Sequence, residues 1–135
     1  MDRAEEFLRE AVVAERPFLA VIWFHAPHRP VRAGPDWSRV YAEATAAERD
    51  YWGALSAMDA QIGRILDALQ TTGQAARTIV IFSSDQGVAI GSHGLRGKQN
   101  MYDHSMRVPC FIAGPDIPEN EKRDMQIYLQ DLMAT

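Results

Sequence analysis

The chain has 135 residues, 47% hydrophobic and 24% charged, enough apolar material to bury a core as one small domain. A formal net charge of −4 argues against a general binder of nucleic acid or anionic membrane. No apolar run approaches the roughly 18 residues that a bilayer span needs, and a single cysteine cannot close an internal disulfide, so the redox compartment stays open.

In chain order, residues 3–14 place Ala4, Phe7, Leu8, Ala11 and Val12 at helical spacing, which predicts a short amphipathic helix. This acidic start lacks the basic, apolar and cleavage regions of a signal peptide. Pro17 then precedes Phe18–Phe24, an unbroken apolar run of the kind found in strands covered on both faces. Residues 25–47 hold Pro27, Pro30, Gly34 and Pro35 and read as one long irregular loop, a length usually tied to function. From Glu48 to Gln70 the residues Tyr51, Leu55, Met58, Ile62, Ile65 and Leu69 step by three and four, predicting a helix that Gly73 stops. Thr78–Phe82 reads as a second buried strand and Val108–Ala113 as a third, with Glu121–Met133 helical and incomplete. Strand, crossover helix and strand make a βαβ unit, so the expected class is α/β with parallel strands. Parallel pairing would bring His25 and Asp85 to the same sheet edge, where open α/β sheets bind their ligands.

Chemistry-bearing residues concentrate where these strands end. Ser83-Ser84-Asp85-Gln86-Gly87 follows the second strand, and a loop punctuated by Gly91, Gly94 and Gly97 carries His93 and Lys98. Asp85 and the Gln86 amide supply oxygens of the kind that hard divalent cations take. Taken alone, SDQG reads as a strand-end turn with no metal; with His93, Gly97 and Lys98 behind it, it reads as a metal site. Lys98 offers a compact cation for a tetrahedral oxyanion, with glycines that let backbone N–H groups approach the same anion. The plain alternative is a solvated surface lysine. His25-Ala26-Pro27-His28-Arg29-Pro30 leaves the first strand, and its prolines stiffen the loop that carries both imidazoles. A histidine beside an ester can protonate the departing alcohol.

Five pieces in order carry a resemblance to the sulfatase family of the alkaline-phosphatase superfamily. They are HAPHRP at 25–30, MDAQIGR at 58–64, SSDQG at 83–87, SHGLRGK at 92–98 and YDHSMRVP at 102–109. Each is weak by itself, and together they span roughly residues 17–135. The resemblance implies a partial alkaline-phosphatase-like fold, with residues 1–135 as a single partial catalytic domain incomplete at both ends. It implies hydrolysis of a small-molecule or carbohydrate sulfate ester with calcium and a formylglycine nucleophile. It gives Asp85 and Gln86 to the metal, Lys98 to the sulfate, and His25 to sulfate contact and leaving-group protonation, while His28 and His93 line the substrate pocket. Where this chain has Gln86 the family usually has Asn, sometimes His, and the longer side chain keeps the carbonyl oxygen but moves it. Asp103, His104 and Arg107 receive no catalytic role.

Cys110 is followed by Phe111-Ile112-Ala113 rather than by the family's Cys/Ser-x-Pro-x-Arg context, so it reads as a small hydrophobe. The nucleophile and the family's other pair of metal-binding aspartates are not in this sequence. The chain therefore reads as an internal piece of a larger enzyme, inactive alone. Its parent's compartment is open, and a periplasmic or secreted one is compatible with the resemblance. Two other readings stay open: a phosphonate or phosphodiester hydrolase of the same superfamily, and a non-catalytic remnant that folds or binds a partner.

Overall fold

A computed structural model describes residues 2–134. The chain divides into two compact units, Met1–Ala75 and Ala76–Thr135.

The first unit is helical. Helix α1 (Asp2–Val13) buries Leu8, 3% exposed, and Ala11, while its polar face carries Arg9 and Glu10. With no glycine available, Glu15 takes the left-handed conformation (φ 52°) that lets the Arg16 N–H reach back to the Ala11 carbonyl at 3.1 Å. Helix α2 (Pro35–Val40) is a short element inside the expected loop, with Pro at its first position where no N–H is needed. Helix α3 (Ala46–Thr71) opens with a capping box. The Thr45 hydroxyl accepts from the Glu48 N–H, and the Glu48 carboxylate accepts from the Thr45 N–H at 3.0 Å. It closes at Gly73 (φ 70°) in a Schellman motif, with the Gln74 N–H on the Leu69 carbonyl at 2.8 Å and the Gly73 N–H on Gln70 at 3.0 Å.

α3 packs on both other helices. Arg64 bridges to Asp2 and Glu5 of α1 at 2.6 and 2.7 Å. Gly53 lets α3 approach the 33–37 segment, since a Cβ there would lie 2.6 Å from the Ala33 Cβ. Among the described residues no helix is long and apolar enough to cross a membrane.

The second unit is built of short pieces. Strand β1 (Val80–Ser83) is followed by β2 (Ala89–Ile90), β3 (Arg96–Gly97), the single-turn helix α4 (Asp103–Met106), β4 (Cys110–Ala113) and the turn α5 (Asp131–Ala134). β1 pairs antiparallel with β4, in the register Val80↔Ala113 to Ser83↔Cys110, and β2 pairs antiparallel with β3. The junction after β4 needs a glycine, because a Cβ on Gly114 (φ 154°) would meet the Ile79 Cα and the Thr78 carbonyl at 2.9 Å.

Three expectations are corrected. No parallel sheet forms among the described residues, since both sheets are two-stranded and antiparallel. Phe18–Phe24 carries no regular secondary structure and joins no ladder; Leu19, Val21 and Trp23 are 84%, 70% and 91% exposed. A strand needs a partner to satisfy its backbone, and no described segment supplies one. The parallel-pair argument for bringing His25 and Asp85 to one edge therefore loses its support. Finally, helix over Glu121–Met133 is limited to Asp131–Ala134. Met125 and Tyr128 are exposed, and a helix this short gains its stability from packing an apolar face, which these residues do not do.

Candidate active site

The second unit carries Asp85, Gln86, His93 and Lys98. Leaving β1, the Ser84 hydroxyl donates to the Gln86 carbonyl at 2.8 Å, turning the chain so that Asp85 is exposed and Gln86 half-buried. Gly87 then fixes the turn from below the strand end. Its N–H donates to the Ser105 carbonyl at 3.0 Å, and a Cβ there would fall 2.0 Å from the His104 carbonyl oxygen. Only glycine allows that approach, so the Asp85–Gln86 turn and α4 are locked together.

Among the described residues neither the Asp85 carboxylate nor the Gln86 side-chain amide is engaged in an ion pair or hydrogen bond. Their oxygens suit a hard cation such as Ca²⁺. Two side chains fill only part of its shell, and among the described residues no group of three or more His, Cys, Asp or Glu could hold a metal. The donor set fits a contributor to a calcium site.

The glycine loop is a tight hairpin. The Gly91 N–H closes it on the Leu95 carbonyl at 2.9 Å, with Gly91, Gly94 and Gly97 all at positive φ. His93 also has positive φ (55°), uncommon for a side chain of its size. Lys98 follows β3, exposed and without an ion-pair partner among the described residues. The His93 ring stacks on Tyr102 at 4.2 Å and 12°, and His104 lies near-parallel to both, at 5.8 Å from His93 and 5.7 Å from Tyr102.

α4 also holds two buried polar atoms without a partner, the His104 Nε2 and the Ser105 Oγ. Ser105 as a whole is 6% exposed. Sequence reasoning left Tyr102 and His104 without a role; the available signal was three rings spaced across one glycine loop and the turn after it. Arg107 reaches Asp103 at 4.0 Å in an ion pair. Cys110 is a free, half-buried thiol on β4.

In the first unit His25 and His28 follow the apolar run. The His28 N–H donates to the His25 carbonyl at 2.8 Å, and the rings stand 5.1 Å apart at 55°. The Ala26–Pro27 and Arg29–Pro30 bonds are cis. The His28 Nδ1–H donates to the Arg29 carbonyl at 2.9 Å, which commits that nitrogen to its own loop and leaves Nε2 for other contacts. His25 is exposed and makes no side-chain hydrogen bond within the protein. The structure thus groups Asp85, Gln86, His93 and Lys98 in one unit, and His25 with His28 in the other.

The sulfatase family model matches the chain over residues 1–135. The N-acetylglucosamine-6-O-sulfatase of Bacteroides thetaiotaomicron is 40% identical over 67 residues, covering 50% of this chain and 12% of the relative. The choline-sulfatase of Rhizobium meliloti is 38% identical over 71 residues, covering 53% of this chain and 14% of the relative. A solved structure of yidJ from Bacteroides fragilis, assigned to the sulfatases, superposes with a TM-score of 0.77 at 26% identity, covering 85% of this chain and 30% of that one. The chain thus spans well under half the length of each.

Proposed function

The chain belongs to the sulfatase family, and from that premise we propose that it is the part of a sulfate-ester hydrolase that brings cationic and metal-binding groups to the ester. The observation that carries this reading is the unspent chemistry of the second unit. A carboxylate, an amide and an ammonium, Asp85, Gln86 and Lys98, stand on the loops after β1 and β3 with no side-chain partner among the described residues.

Asp85 and Gln86 would hold Ca²⁺, which when bound draws charge from the ester oxygens. The Lys98 ammonium pairs with a non-bridging sulfate oxygen and holds the negative charge of the sulfate group in the transition state, while the charge released as the S–O bond lengthens goes to the departing oxygen. A ring nitrogen of His25 hands its proton to the departing bridging oxygen, so the alcohol leaves neutral rather than as an alkoxide. His28, with Nδ1 held by its own loop, and His93 line the pocket. The nucleophile comes from outside these residues, so this chain alone has no turnover. The domain assignment follows the same line: residues 1–135 form one partial sulfatase domain. The two sulfatases of known substrate differ in the alcohol they release, a sugar hydroxyl in one name and choline in the other; the first supports a carbohydrate sulfate as substrate.

The test is a substrate panel on the complete sulfatase that contains this chain. Sulfate esters should be hydrolysed with higher kcat/KM than phosphate monoesters, phosphodiesters or phosphonates carrying the same alcohol. A preference for phosphodiester or phosphonate would replace this reading with hydrolysis of that ester, and no turnover of any would reduce the chain to a binding or structural domain.

A further inference from the structure

The second unit gathers three aromatic rings, two of them exposed and one half-buried. His93 and Tyr102 stack at 12° with centroids 4.2 Å apart, and His104 lies beside them, tilted 31° to His93 at 5.8 Å and 25° to Tyr102 at 5.7 Å. His93 is exposed and Tyr102 is 49% exposed. A cluster serving only to lock the hairpin would spend its polar edges inside the protein. Among the described residues neither the Tyr102 hydroxyl nor a His93 ring nitrogen finds a hydrogen-bond partner, and the buried His104 Nε2 has none either. The Tyr102 backbone, by contrast, is fixed, its N–H donating to the Asn100 side-chain oxygen at 3.2 Å. His93 is held in place at a positive φ. A stacked pair of exposed rings and unspent polar rims occur together.

We propose that His93, Tyr102 and His104 form a stacking platform that receives a pyranose ring, the alcohol half of a sulfated sugar. A pyranose has a C–H face with partial positive charge and a rim of hydroxyls. The first matches the electron-rich face of an aromatic ring. The hydroxyls match the free edges of tyrosine and imidazole, each able to donate or accept. A quaternary or alkyl alcohol would leave those edges unpaired, which costs affinity. Lys98 lies four residues before Tyr102 and five after His93, on the chain that joins the platform's two sides. Sugar and sulfate are therefore read by neighbouring parts of one loop. This inference rests on the sulfatase reading and adds the residues that choose the alcohol.

The experiment is ring-proton NMR of the 135-residue chain, titrated separately with N-acetylglucosamine, with choline and with sodium sulfate. Tyr102 and His93 ring signals should shift saturably with the sugar and not with choline. Tyr102→Ala should weaken the sugar response about tenfold, the scale of one lost stacking contact, while Tyr102→Phe, which keeps the face, should retain most of it. No ring shift with the sugar, or a larger one with choline, overturns the platform. A shift of the Lys98 side-chain signals in the separate sulfate titration, read in a 1H–13C spectrum, would leave the sulfatase reading standing in that case. Equal sugar responses in the parent chain and Tyr102→Ala, with both folded by far-UV circular dichroism, overturn it as well.

Discussion

Gly87 controls where Asp85 and Gln86 sit more than either residue's own interactions do. Its missing side chain is what lets the turn close on α4, since a Cβ would lie 2.0 Å from the His104 carbonyl oxygen. Gly87→Ala should therefore destabilise the second unit by about 1–3 kcal/mol, the usual cost of forcing an atom into occupied space. Gly63 offers the comparison: nothing lies within 4 Å of a Cβ there, it sits inside α3, and Gly63→Ala should be neutral or slightly stabilising. Urea denaturation of both variants checks the pair; equal effects would remove the locking role of Gly87. His25 is tested by the leaving group. In the complete enzyme His25→Ala should cost about a hundred- to ten-thousandfold on an alkyl sulfate and much less on a nitrophenyl sulfate, whose alcohol departs without a proton. Equal losses would leave His25 a sulfate contact and remove its acid role, and a larger leaving-group effect at His28→Ala would transfer that role.

Among the elements, the stop of α3 was legible and strand partners were not. Gly73 marks that stop through local chemistry that tertiary context does not alter, whereas the Thr45–Glu48 capping box that starts α3 lies across the boundary drawn between loop and helix at Glu48. The α1 stop at Glu15 gave no such signal, because a glutamate in left-handed conformation has no sequence signature. Phe18–Phe24 reads as an apolar strand, yet periodicity cannot say which segment pairs with it, and among the described residues none does. β1 and β4 were both expected as strands, but their antiparallel pairing depends on the hairpin and α4 between them reversing the chain. The motif residues of the site were visible as residue types at loop positions, whereas the lock at Gly87 and the ring cluster are contacts between segments, which spacing does not reveal.

The α3 start also gives a pH signature. Thr45's hydroxyl and then its N–H hold Glu48 below the usual carboxylate range, and the Arg32 guanidinium, then the Ala33 N–H, do the same for Asp50. A depressed folded pKa adds stability that is present above the ordinary carboxylate pKa near about 4 and is lost as pH falls through the folded value. Helicity of the chain should thus weaken below about pH 4, and the double variant Glu48→Gln, Asp50→Asn should flatten that acid limb in circular dichroism. A limb unchanged by the substitutions would place the acid sensitivity elsewhere.

At the scale of the whole molecule, the chain holds a share of a site. Asp85 and Gln86 offer at most about three side-chain oxygens, against the six to eight that calcium prefers. Calorimetry should find weak Ca²⁺ binding to the 135-residue chain and tight binding to the complete sulfatase that contains it. Tight stoichiometric binding to the chain alone that survives Asp85→Ala would refute the ligand assignment. The apolar surfaces left open, Trp23 in the first unit and Phe111 in the second among them, fit the same picture of elements that need further polypeptide to cover them. The central claim is that this chain brings a sulfate-binding cation to the ester, and Lys98 carries it. The deciding measurement is kcat/KM of the complete enzyme and of its Lys98→Ala variant on one sulfate ester, with folding matched. Loss of at least about a hundredfold, the scale of removing one group that stabilises the developing oxyanion, is the expected result. Unchanged kinetics would return Lys98 to the solvated surface and contradict the account.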